Sequence, residues 1–135
     1  MPGSFHGVIH AEAALSKDLL PIFNKDPKKL SLAEEALLFS VDEPSNGKMY
    51  ILLEGQAEIV IGKYMVELAQ PGAIIGEMGM IDQEPRSATV RCVTPCVFAE
   101  VDEKRFLNLI QQTPVFAMEL LKGMAARLRR IDRTI

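Results

Sequence analysis

Residues 76–90, Gly-Glu-Met-Gly-Met-Ile-Asp-Gln-Glu-Pro-Arg-Ser-Ala-Thr-Val, concentrate the chemistry this chain has to offer. Gly76 and Gly79 permit a tight turn and a close approach of backbone to a ligand. Successive backbone N–H groups in such a turn form a concave nest that attracts anions. Arg86 adds a permanent positive charge whose planar fork suits phosphate oxygens. Glu77 does the opposite, since a carboxylate repels a bare phosphate and accepts from hydroxyls. An anion cradle that also holds a carboxylate suits a ligand with both a phosphate and hydroxyl donors. A sugar phosphate meets that description.

The rest of the chain offers little that could react. Its only histidines, His6 and His10, precede the stretch that reads as β, so no Ser–His or Cys–His pair can be assembled there. Ser87 and Arg86 without a base bind phosphate and do not hydrolyse it. Cys92 and Cys96 stand as Cys-x3-Cys across Pro95, with no further cysteine to complete a metal site. They read as small buried residues. These observations predict a binding module, with no catalytic residue, no metal and no cofactor in the strict sense.

At 135 residues the chain is expected to form one domain with a real hydrophobic core. A net charge of −3 argues against a general affinity for nucleic acid. No apolar run approaches the roughly 18–20 residues of a membrane span. The opening Met-Pro-Gly-Ser-Phe-His lacks the pattern of a secretory signal, and two cysteines imply no disulfide scaffold, so a cytoplasmic location is expected.

The elements that would position the site change type twice along the chain. Residues 1–29 read as a helical segment: a short helix over residues 11–15, and another over 16–24 that Ser16 caps and Leu15, Leu19, Leu20 and Phe23 bury on one face. Residues 30–101 read as a β-roll. Turn chemistry recurs there at short intervals, between brief runs at 49–53, 57–61 and 64–68. Gly62-Lys63 joins two of those runs as a tight hairpin. Residues 102–135 read as helical. Asp102 caps a short helix marked by Phe106, Leu107 and Ile110. Thr113-Pro114 then starts a long one, running to about residue 133. Along it Ala117, Leu121, Met124, Leu128, Ile131 and Ile135 recur at spacings of four and three, an a/d seam. Two readings of the seam stay open: a face packed on the roll, or a mobile lid and dimer contact. Gly123 weakens the middle of this helix by about 1 kcal/mol relative to Ala and marks a candidate bend.

The segment 76–90 resembles the phosphate-binding cassette of the cyclic-nucleotide-binding domain, shared by catabolite-activator-type regulators, protein kinase A regulatory subunits and cyclic-nucleotide-gated channels. The match runs through Gly76, Glu77, Met78, Gly79 and Met80, then Arg86, Ser87, Ala88, Thr89 and Val90. The resemblance implies a jelly-roll β-barrel with an N-terminal helix and C-terminal helices. It also implies that Glu77 takes a ribose 2′-hydroxyl and Arg86 the cyclic phosphate. Gly76, Met78, Ser87 and Ala88 would donate through backbone N–H. In the eukaryotic branch, Ala after the Arg goes with cyclic AMP and Thr with cyclic GMP. Ser87 permits either, and cyclic AMP is the expected ligand, since bacterial receptors for it often carry Ser there.

Two departures from the family pattern lie outside the cassette. Ala33-Glu34-Glu35 and Ser40-Val41-Asp42-Glu43 stand where glycines are usual, and Asp42 tolerates the left-handed geometry such a turn demands. The cluster Arg127, Arg129, Arg130 and Arg133 also has two readings: a solvated helix end that suits the dipole, or one arginine set over a purine. In channel-type members such an arginine falls about four turns after the Pro, and Arg127 does so here. Nucleotide would then draw the long helix over the base, with Leu128 and Arg127 closing the pocket. The expected partners are a cyclic nucleotide, a second copy through residues 114–135, and an effector protein. The runner-up readings are a Crp/Fnr-type transcription regulator lacking or separated from its DNA-binding domain and a structural protein-interaction domain. The chain ends where the long helix ends, so DNA binding by this chain alone is not expected.

Overall fold

The computed structural model describes residues 14–61 and 63–134. Among the described residues, eight strands form two four-stranded antiparallel sheets. One has the order β1 (Lys29–Leu32), β8 (Cys96–Val101), β3 (Met49–Glu54), β6 (Ile74–Ile75). The other has β2 (Leu37–Phe39), β7 (Thr89–Cys92), β4 (Ala57–Ile61), β5 (Tyr64–Ala69). This is the expected jelly roll. Helices α1 (Leu20–Asn24), α3 (Glu103–Gln112) and α4 (Pro114–Thr134) flank it, and the short α2 (Glu77–Asp82) lies between β6 and β7.

The central strand shows why the roll needs its helices. In β3, five of six residues are buried, because both faces of its sheet are covered. Tyr50 and Leu52 point into the roll, with Phe39, Val90 and Phe98. Met49, Ile51 and Leu53 point the other way, into a second core with Phe23, Leu109, Phe116 and Leu120 from the helices. A run of five apolar residues is what a strand covered on both faces requires.

The turns behave largely as their residues predict. Gly55 and Gly72 both adopt positive φ, and Asp42 takes the left-handed conformation at φ 68°. Glu35 does so as well, at φ 73°. A glycine would be the easier residue there, and the turn is tied down instead: the Glu35 N–H donates to the Cys92 carbonyl at 2.8 Å, and its carboxylate pairs with Arg91. Strands β4 and β5 pair antiparallel with Ile61 opposite Tyr64; Gly62 of the expected hairpin turn lies outside the described residues. A register shift at Ile59 and Val60 places Glu67 opposite Ile59.

Several expectations need correction. Residues 14 and 15 are not helical, and Ala14 is bridged to Ala73; residues 11–13 lie outside the described region, as do His6 and His10. Residues 16–19 form a turn and not the first turn of a helix; α1 starts at Leu20 with Pro21 in its opening positions, and its N-cap is Leu19, without a side-chain cap, rather than Ser16. In α3 the Asp102 cap is as expected, its carboxylate accepting from the Arg105 N–H at 2.8 Å. Leu107, however, is exposed, and Leu109 supplies the buried contact.

The long helix departs most. It runs unbroken through Gly123, and the face on the roll is Phe116, Leu120, Gly123 and Arg127. The a/d seam lies to one side: Leu121 is 57% exposed and Leu128 63%, with Ala117 and Met124 half-buried. Aromatic packing decides this rotation, because Phe116 meets both Phe23 and Phe106 and fixes the first turns against the roll. Ile135 lies outside the described residues, and nothing is described of the Ile131 side chain. No described helix is long and apolar enough to cross a membrane. Cys92 and Cys96 are buried and unbridged; burial, with Cys96 beside it, pushes the Cys92 thiol up to about 12.

Candidate functional site

Gly76 ends β6 in the left-handed conformation, φ 77°, and leads directly into α2. Its position and that of Gly79 are dictated by a neighbouring side chain. A Cβ built on either glycine would lie 2.8 Å from Nη1 of Arg86. The two glycines therefore make room for the arginine itself, beyond any close approach by a ligand.

Arg86 is 4% exposed and sits among neutral oxygens. Its Nη1 donates to the Gly76 carbonyl at 3.1 Å. Nη2 donates to Asn46 Oδ1 at 2.6 Å and to the Lys48 carbonyl at 2.9 Å. The guanidinium lies over the ring of Phe39, 4.3 Å from its centroid. Asn46 is itself held, its Nδ2 donating to the Tyr50 hydroxyl at 2.9 Å. The backbone of Arg86 is clasped as well: its N–H donates to Glu43 and its carbonyl accepts from Asp42. Burial lowers the Arg86 pKa, with the fields of Tyr50 and Glu43 acting in the opposite direction. The group stays charged throughout the physiological range. Three of its five N–H groups are engaged by acceptors among the described residues.

Glu77, the first residue of α2, is as buried as Arg86, at 2% exposure. Its Oε1 accepts from Nη1 of Arg127 at 2.7 Å, so the long helix α4 reaches the cassette. The same guanidinium grips a second buried carboxylate, Glu67 on β5: Nε to Oε1 at 3.0 Å and Nη2 to Oε2 at 3.2 Å. Burial pulls the Arg127 pKa down, and the charges of Glu77 and Glu67 more than offset it, so the net shift is upward.

The remaining predicted positions divide. Ala88 is buried and Ser87 exposed at the edge of the cassette, just before β7. The Met78 side chain is 48% exposed on the outer side of α2, while Met80 is buried in the helix-side core. Leu128 is mostly exposed and does not share the burial of Arg127. Asn46, Phe39, the Lys48 carbonyl and Glu67 were not singled out by the sequence. For Glu67 one signal existed: it has the same strand parity as the buried Ala69, so its carboxylate faces inward. Among the described residues no group of His, Cys, Asp and Glu is gathered that could hold a metal ion.

Comparison with known proteins bears on the family and the fold. The family model for the cyclic nucleotide-binding domain matches residues 29–113. The cAMP-activated global transcriptional regulator CRP of Salmonella typhimurium is 37% identical over 87 residues, 60% of this chain and 41% of that protein. The chain thus spans about two fifths of that relative. Among solved structures, the catabolite activator protein of Thermus thermophilus superposes with a TM-score of 0.75 at 21% identity, over 97% of this chain and 60% of that one. A protein solved in work on a cyclic-GMP-dependent signalling pathway that regulates bacterial phytopathogenesis also gives 0.75 at 21% identity, over 87% and 96%. At such identities these two likenesses speak for the fold.

Proposed function

Because the chain belongs to the cyclic nucleotide-binding domain family, we propose that residues 76–90 seat a cyclic nucleotide, with cyclic AMP as the ligand, and that the chain acts as a sensor rather than an enzyme. The observation that carries this reading is the pairing of a buried cation held by neutral oxygens with a buried acid across one glycine turn. Arg86 has N–H groups beyond the three its protein acceptors engage, suited to a cyclic phosphate. Glu77 gives Oε1 to Arg127, and Oε2 suits the ribose 2′-hydroxyl. Backbone N–H groups of Gly76, Met78, Ser87 and Ala88 complete the phosphate cradle, and the exposed Ser87 hydroxyl admits an adenine or guanine ligand. The name of the Salmonella relative supports cyclic AMP.

Arg127 lies beside the ribose acceptor, so it contacts the sugar side of the ligand and links it to α4. Leu128 joins the pocket only if the helix turns. Output would leave through the outer face of α4, where Val115, Met118, Leu121 and Leu128 are exposed, to a second copy or an effector. The setting we assign is the cytoplasm. Calorimetric titration with cyclic AMP and cyclic GMP tests the reading. Saturable heat is expected, stronger with cyclic AMP; no heat from either, at protein concentrations well above micromolar, overturns it.

A further inference from the structure

Glu77 is served by an arginine that could have disabled it. An arginine beside a lone carboxylate settles into a fork that occupies both oxygens. In this molecule the fork is directed elsewhere. Nε and Nη2 of Arg127 lie 3.0 and 3.2 Å from the two oxygens of Glu67, and only Nη1 reaches Glu77, at Oε1. Glu67 is 2% exposed, on an inward-facing position of β5 next to the register shift. A buried carboxylate is expensive to desolvate, and an apolar residue would fill such a position without that penalty. The placement calls for a reason beyond packing.

We propose that Glu67 is a positioning residue of the nucleotide site: by holding Arg127 in a fork on β5, it confines that arginine to one oxygen of Glu77 and leaves Oε2 to the ligand's hydroxyl. The inference rests on Glu77 being the hydroxyl acceptor, as argued above. Glu67 need not touch the nucleotide. Without it, Arg127 turns both donors onto Glu77, and the incoming hydroxyl has to displace a charge-assisted pair.

The test compares 3′,5′-cyclic AMP with its 2′-deoxy analogue by calorimetry, or the corresponding guanine pair if the protein favours it. Wild type should prefer the hydroxyl-bearing ligand by about tenfold or more, the scale of a hydrogen bond to a charged group. Glu67→Gln should narrow that preference to about threefold or less, chiefly by weakening the hydroxyl-bearing ligand. Adding Arg127→Lys to Glu67→Gln should reopen the gap, because an ammonium is a point charge and cannot fork. If Glu67→Gln does not fold, Glu67→Asp takes its place, its shorter arm being unable to span Nε and Nη2 from the same backbone. A Glu67 variant that keeps the full preference, or weakens both ligands equally, overturns this inference alone. Wild type that binds neither ligand, or binds both equally, overturns the underlying reading of the site and this inference with it.

Discussion

Arg86 and Arg127 bring the same charge to two ends of one site, and they are held in opposite ways. Arg86 belongs to the roll, and its hydrogen-bond acceptors are the Gly76 and Lys48 carbonyls and Asn46, all neutral. Arg127 arrives from a helix and is bracketed by two carboxylates, Glu67 and Glu77. Neutral acceptors fix a guanidinium without cancelling its charge, so the Arg86 end keeps a net positive field. At the Arg127 end, the cation is met by carboxylates rather than neutral oxygens. One end is built to wait for an anion and the other to accept donors while tying the helix to the roll. Charge alone, counted from the sequence, does not distinguish these roles; the identity of the partners does.

The largest expected effect separates the two ends directly. Arg86→Ala should weaken nucleotide binding by about a hundredfold or more, the cost of losing a buried partner for a phosphate. It should also destabilise the fold by about 1–3 kcal/mol, since buried carbonyls lose their donor. Arg127→Ala should weaken binding less, because its charge is already neutralised. Calorimetry on both variants decides the matter. An Arg127 loss equal to or larger than the Arg86 loss would break the comparison and make the helix arginine the anchor.

A smaller effect should touch the helical region and spare the cassette. The Arg105 N–H holds the Asp102 carboxylate below its ordinary pKa at the start of α3, with Lys28 helping. A depressed folded-state pKa contributes stability that is present above the unfolded value and is lost as pH falls through the folded one. Asp102→Ala should therefore cost about 1 kcal/mol at neutral pH. Its deficit should shrink at acidic pH, where the wild-type carboxylate is protonated too. Urea melts at neutral and acidic pH measure this. Affinity for nucleotide should stay within about twofold, since the hydrogen bonds of Arg86 and Glu77 among the described residues go to the cassette, to residues 46 and 48 and to α4, and not to α3. A deficit that persists unchanged in acid would mean that the cap works without its charge.

How much of this was legible beforehand follows a physical rule. Residues 76–90 could be read because the cassette is local: its glycines, acid and arginine lie within fifteen residues of chain. Strands were legible from turn residues, and Asp42 from its tolerance of left-handed backbone. What was hidden is contact across distance. Asn46 meets Arg86 across 40 residues, and Glu67 meets Arg127 across 60. No spacing rule reports such pairs. The rotation of α4 was hidden for a related reason. Heptad spacing identifies an apolar stripe, but the contacts of Phe116 with Phe23 and Phe106 choose which stripe faces the roll.

That rotation yields the smallest expected effect on the fold and the sharpest check on where α4 ends its duty to the roll. Leu121 and Leu128 are 57% and 63% exposed, while Phe116 and Leu120 on the adjoining face are buried. Replacing both exposed leucines by serine removes little buried area, so stability should change by no more than about 0.5 kcal/mol. Nucleotide affinity should also hold, since the helix is tied to the site by Arg127 and to the core by Phe116. Self-association is where the change should appear: if the outer face pairs with a second copy, sedimentation velocity should find a dimer in wild type and a monomer in the variant. A monomer in both assigns that face to a different protein. A stability loss of about 2 kcal/mol or more would show instead that the seam packs on the roll. The separation between a docked inner face and a signalling outer face would then fail.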